Sequence, residues 1–167
     1  MCKSVDTQPL KVITIFGDNN SGKTTLINYV FTKLMETGGE LTYYHIIGAD
    51  TRDFHAIVIW EGLIIAFCSI GDPADEEIEN KWKYIEDGIE NAKKFNAEIL
   101  LNAVSYNIEN DMQTTINKYE EILNNEQPFK KIILDKKKDE KIEMIIKKKQ
   151  NNCKSIIKDL LTISRVN

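Results

Sequence analysis

The sequence predicts a three-layer α/β/α sandwich built on a mainly parallel sheet. Two observations carry this expectation. Short β-branched runs alternate with amphipathic segments of ten or more residues, the pattern of βαβ units whose sheet is covered on both faces. Two further apolar runs are joined by Glu61-Gly62 alone, so a hairpin adds one antiparallel strand.

Lys11 to Phe16 (KVITIF) is β-branched and stops at Gly17, which reads as a buried strand. Thr24 to Met35 follows with Leu26, Tyr29, Val30, Lys33 and Leu34 near helical spacing, and Gly38-Gly39 supplies a stop. Leu41 to Ile47 is a second strand, and Asp50 to Phe54 is polar and reads as a loop. His55 to Trp60 and Leu63 to Ile70 are the hairpin strands, ended by Gly71-Asp72-Pro73. Ile78, Trp82, Ile85, Ile89 and Ala92 then keep helical spacing to about Phe95, and Ala97 to Val104 is another strand.

Ile108, Met112, Ile116, Tyr119 and Leu123 mark a further helix, and Pro128 precedes a last strand, Lys130 to Leu134. Ile142, Ile145, Ile146, Cys153, Ile156, Ile157, Leu160 and Leu161 mark a C-terminal helix. Its interspersed lysines (Lys136 to Lys138, Lys147 to Lys149) read as a solvated face. No repeat and no separating linker occurs, so residues 1–167 are expected to form one domain, with the first strand near the centre of the sheet.

A chain of 167 residues buries roughly 70% of its unfolded surface, enough for a core without staples. Hydrophobic residues at 42% and charged residues at 29% describe a soluble globular chain, and a net charge of -4 gives no electrostatic reason to expect nucleic acid. Cys2, Cys68 and Cys153 are scattered and the only histidines are His45 and His55, which argues against structural zinc; Cys68 reads as a small core residue. MCKSVDTQPL lacks an apolar leader core, and no run of about 18 apolar residues exists, so no membrane partner and a cytoplasmic location are expected.

The segment with the clearest chemistry is Gly17-Asp18-Asn19-Asn20-Ser21-Gly22-Lys23-Thr24, which fits G-x-x-x-x-G-K-[ST] between an apolar strand and a helix start. By chance alone such a match arises on the order of half a percent of the time in a chain this long. Gly17 and Gly22 permit close backbone approach, and the N–H groups of Asn19, Asn20, Ser21 and the helix start form a nest for phosphate oxygens. Lys23 brings a mobile positive charge to the β- and γ-phosphates, Thr24 offers a hydroxyl to Mg²⁺, and Thr25 reaches an α-phosphate. Over roughly positions 11 to 38 the chain resembles the P-loop NTPase superfamily at its Walker A motif. The later order of hairpin, Ser69-x-Gly71-Asp72, helix and strand is similar to small uncharacterised bacterial P-loop ATP-binding proteins. The resemblance implies the P-loop NTPase fold, a bound nucleoside triphosphate and Mg²⁺.

Such proteins need a carboxylate at the end of a neighbouring apolar strand. Asp72 is the first choice, although Ser69 and Gly71 intervene where the family pattern has none, and Asp72 also reads as a helix cap. In Asp50-Thr51-Arg52-Asp53, Arg52 could neutralise phosphate charge, and Asp50 or Asp53 could orient a nucleophile or a Mg²⁺ water. Catalytic candidates are therefore Lys23, Asp72, Asp50 and Arg52, with Thr24 and Asp72 for the metal. Asp135 to Asp139 lacks the asparagine of N-K-x-D, which favours ATP over GTP. The leading expectation is slow ATP hydrolysis or its coupling to a conformational change. A γ-phosphate kinase is an alternative that is weakened by having only Arg52 and Arg165 in the chain. The other is a nucleotide-dependent switch, with a homodimer or a protein partner left open.

Overall fold

The computed structural model describes residues 9–18, 21–47, 53–69, 78–106, 112–123, 126–134 and 140–166. Ten elements follow in order: β1 (Lys11–Asp18), α1 (Lys23–Glu36), β2 (Glu40–Ile46), β3 (Phe54–Trp60), β4 (Leu63–Cys68), α2 (Ile78–Lys94), β5 (Ile99–Tyr106), α3 (Met112–Leu123), β6 (Gln127–Leu134) and α4 (Ile142–Ser164). The six strands form one sheet in the order β2-β3-β4-β5-β1-β6. β4, β5, β1 and β6 are parallel, and β3 runs against both β2 and β4. β3 is thus the single antiparallel strand that Glu61-Gly62 foretells. Those two residues turn with φ of 49° and 78°, the paired positive values of a type I′ hairpin.

α1 and α4 cover one face of the sheet through Leu26, Ile27, Val30, Leu34, Ile156, Leu160 and Ile163. α2 and α3 cover the other through Ile85, Ile89, Ala92, Ile116, Tyr119 and Leu123. Because both faces are buried, β1 and β5 read as continuous apolar runs rather than alternating ones.

The expected position of the first strand is corrected. β1 lies one strand in from the β6 edge instead of near the centre, because the β2–β4 meander extends the sheet only on the β5 side. β6 also begins before Pro128 rather than after it. It is an edge strand, so a residue without an N–H is tolerated there, and the register shifts between Val12 and Ile13 opposite it.

One feature of the sheet is polar throughout. His45, His55, Cys68, Asn102, Thr14 and Lys131 stand opposite one another in sequence from β2 to β6, one residue per strand. Tyr119 of α3 reaches into the row: Thr14 Oγ1 donates to its hydroxyl at 3.0 Å, and the hydroxyl donates to Asn102 Oδ1 at 2.9 Å. Its ring also meets Phe16 edge-on at 5.6 Å. Burial pushes the phenol well above its usual range, so it stays a neutral donor. Asn102 Nδ2 finds no hydrogen-bond partner among the described residues.

His55 lies 3.2 Å from Cys68 Sγ, and Cys68 is a core residue as the sequence reading has it. Burial, with His45 opposite it, lowers the His55 pKa to about 4, against a weaker opposing pull from Asp87. The folded-state value is below the unfolded one near 6.5, so the unfolded chain binds more protons between them. Stability is therefore full above pH 6.5 and falls as pH drops toward 4, by up to roughly 3 kcal/mol. Urea denaturation at pH 7.5 and 4.5 should show this loss, and His55→Gln should flatten it. An equal slope in parent and variant would assign the loss to other groups.

Candidate functional site

Strand direction gathers one edge of the sheet. The C-terminal ends of β1, β4, β5 and β6 share it with the N-terminal end of β3. Gly17, Ser69, Ser105, Leu134 and Asp53 therefore come together at the edge where β1 passes into α1.

The turn is shaped by backbone proximity. Gly17 pairs with Ser105 on one side and Leu134 on the other. A Cβ added to Gly17 would lie 2.2 Å from Ser21 Oγ and 3.0 Å from the Leu134 carbonyl oxygen. Ser21 N–H donates to Asp18 O at 3.1 Å, which folds the chain back. Gly22 then takes φ 90°, a left-handed conformation that favours glycine, and Leu26 N–H donates to Gly22 O to start α1.

Two properties of the α1 start favour an anion. No side chain caps it, and no acidic residue lies in its first turn. Lys23 is buried, and its ammonium donates to Asp18 O at 2.7 Å, spanning the loop, with Ser21 Oγ at 3.5 Å. Thr24 is half-buried and Thr25 exposed.

Among the acids singled out by sequence, Asp53 is the one with a described position. Thr24 Oγ1 donates to Asp53 Oδ1 at 3.4 Å. Asp53 O also accepts from Ile47 N–H at 2.9 Å, closing the base of the segment that carries Asp50 and Arg52. Ser69 is fully buried at the end of β4, where its hydroxyl accepts from Phe54 N–H at 3.0 Å and fixes the start of β3 beside Asp53. Asn19, Asn20, Asp50, Arg52 and Asp72 lie outside the described residues.

Mg²⁺ favours hard oxygen ligands and keeps several waters. The Thr24 hydroxyl and Asp53 carboxylate are such donors, adjacent and beside a helix start that favours phosphate, so they fit this ion. No group of three His, Cys, Asp or Glu side chains that could hold a metal alone occurs among the described residues.

One side chain the sequence reading assigns to a solvated face belongs here. Lys149 of α4 is half-buried, and a Cβ built on Gly22 would lie 2.6 Å from both its Cε and its Nζ. Its neighbour Lys148 pairs with Glu140. The signal was available in the spacing. Lys149, Cys153, Ile156, Leu160 and Ile163 form one helical stripe, so Lys149 continues the face that packs on α1.

Gly17→Ala tests the tightness of the turn. Ser21 can rotate away from the methyl, whereas the Leu134 carbonyl is held in the sheet. A stability loss of about 1–3 kcal/mol by thermal denaturation is expected, partly recovered in the Gly17→Ala, Ser21→Gly double variant. Wild-type stability in the single variant would show that the turn has room.

No helix among the described residues is long and apolar enough to cross a membrane. No protein-family model, curated protein or solved structure matches this chain.

Proposed function

We propose that this chain is a P-loop NTPase that binds a nucleoside triphosphate with Mg²⁺, ATP in preference to GTP, and hydrolyses it slowly or couples it to a conformational change. The observation that carries the reading is the Walker A pattern at Gly17 to Thr24 on a turn closed to a Cβ at Gly17 and opening an uncapped helix. Phosphate oxygens would take the loop N–H groups, and the Lys23 ammonium would turn from Asp18 O toward them. When bound, Mg²⁺ supplies positive charge to the β- and γ-phosphates, with Thr24 and Asp53 as its protein-side oxygens. Asp53 thus joins Asp72 and Asp50 as a candidate metal carboxylate, supported by its hydrogen bond with Thr24.

Hydrolysis is preferred over transfer to an acceptor on the arginine count. Of Arg52 and Arg165, Arg165 caps the far end of α4, about 24 Å along the helix from Lys149 at ~1.5 Å per residue. It cannot line a lid over the loop, whereas transfer sites recruit several arginines.

The test is titration calorimetry with Mg-ATP, followed by turnover with and without an acceptor panel and mass analysis of products. Millimolar-or-tighter binding is expected. Because Lys23 is buried, Lys23→Met is the variant of choice, keeping the stem while removing the charge. It should weaken ATP by roughly tenfold or more. Unchanged affinity in Lys23→Met would sink the phosphate role of this lysine.

Asp53→Asn preserves shape and should abolish the gain in ATP affinity that Mg²⁺ confers on the parent. If that gain survives intact, the metal carboxylate lies elsewhere.

A further inference from the structure

α4 meets the start of α1 at one polar side chain. Along its inner stripe, Cys153, Ile156, Leu160 and Ile163 pack toward α1 and the sheet, and the next position toward the N-terminus is Lys149. There the stripe changes from apolar to cationic, with the Lys149 ammonium over Gly22. The first two turns of α4, carrying exposed Ile142, Met144 and Ile146, precede this crossing.

Electrostatics makes the placement informative. The α1 N-terminus carries the positive end of a helix dipole, and Lys23 adds a full charge within the loop. Lys149 brings a second full positive charge to the same spot. No ion pair of Lys149 with a carboxylate occurs among the described residues. The Asp53 carboxylate near Thr24 offsets part of this charge, and an uncapped helix start with two ammoniums beside it suits a polyanion such as a phosphate chain.

We propose that Lys149 is a second phosphate-binding cation, delivered to the loop from α4, so that ligand binding ties the first turns of α4 to the loop. The proposal rests on the nucleotide-binding reading above and extends it to an element remote in sequence. It also accounts for where a chain poor in arginine finds its additional phosphate charge. The lysine is a compact point charge on a flexible stem, able to follow the phosphate as it enters. Simple packing of a long stem over a residue without a side chain is the competing explanation, and it does not depend on the charge.

The experiment uses the full chain and Mg-ATP, with calorimetry on the parent, Lys149→Met, Lys149→Arg, Lys148→Met and Lys23→Met, each checked for an unchanged melting curve without ligand. Lys149→Met should weaken Mg-ATP about tenfold, Lys149→Arg should recover part of that loss by keeping the charge, and Lys148→Met should stay within about twofold of the parent. Hydrogen exchange over residues 142–149 should slow on adding Mg-ATP to the parent and not to Lys149→Met. Parent-like affinity and protection in Lys149→Met, alongside weakened binding in Lys23→Met, would overturn the role of Lys149 and leave the nucleotide reading standing. Equal weakening in Lys148→Met and Lys149→Met would also overturn it, since a diffuse basic surface would then explain the effect. A parent that binds no Mg-ATP removes both readings together.

Discussion

At Gly17 the backbone of β1 runs so close to Leu134 that a Cβ would crowd its carbonyl oxygen and displace the Ser21 hydroxyl, and the chain enters α1 at Lys23. Most of the candidate site depends on this constraint. Because β1 is hydrogen-bonded on both sides, its end cannot shift to relieve crowding. The loop closes instead through its own groups, with Ser21 N–H and the Lys23 ammonium both donating to Asp18 O. A rigid strand end and a self-closed turn hold the α1 N–H groups in one place. Under the proposed function, preorganisation of this kind would keep the ordering cost out of the binding step.

Charge is distributed unevenly around that turn. Lys23, Lys149 and the uncapped helix start contribute positive potential, and the Asp53 carboxylate adds negative potential against Thr24. Under the proposed function, the Asp53 carboxylate and Thr24 hydroxyl would be the oxygens offered to Mg²⁺ beside the phosphates. The base of the Asp50–Arg52 segment is tied by Ile47 N–H to Asp53 O, and β3 is tied to β4 by Ser69.

The polar row beneath the loop has a different consequence. His55, Cys68, Asn102 and Thr14 are buried at consecutive strands, and Tyr119 satisfies two of them. Such a network is favourable only while its hydrogen bonds hold, because unpaired buried groups cost about 1–3 kcal/mol each. It fixes the register of α3 on the sheet more specifically than apolar packing would. It also makes stability sensitive to acid through His55, whose neutral form the burial demands.

The alternation of short apolar runs with helical stripes, the two-residue hairpin and the glycine-rich loop are local properties, and sequence alone determined them. Each depends on the periodicity or backbone freedom of adjacent residues, as at Lys11–Phe16 and Glu61-Gly62. Strand order was not legible in this way. Nothing local to β1 says whether it has one strand or several beyond it, so its place beside the edge strand β6 emerged only from the assembled sheet. The same holds for side chains far apart in the chain. Asp53 and Thr24 are separated by 29 residues, and Tyr119 joins Thr14 across 105. By sequence Lys149 reads as one of six solvated lysines, and its place over Gly22 follows from the packing of α4 on α1. Its helical phase was written in the sequence, but what stood opposite that phase was decided by tertiary packing, because helix spacing gives a direction and only the partner element gives a contact.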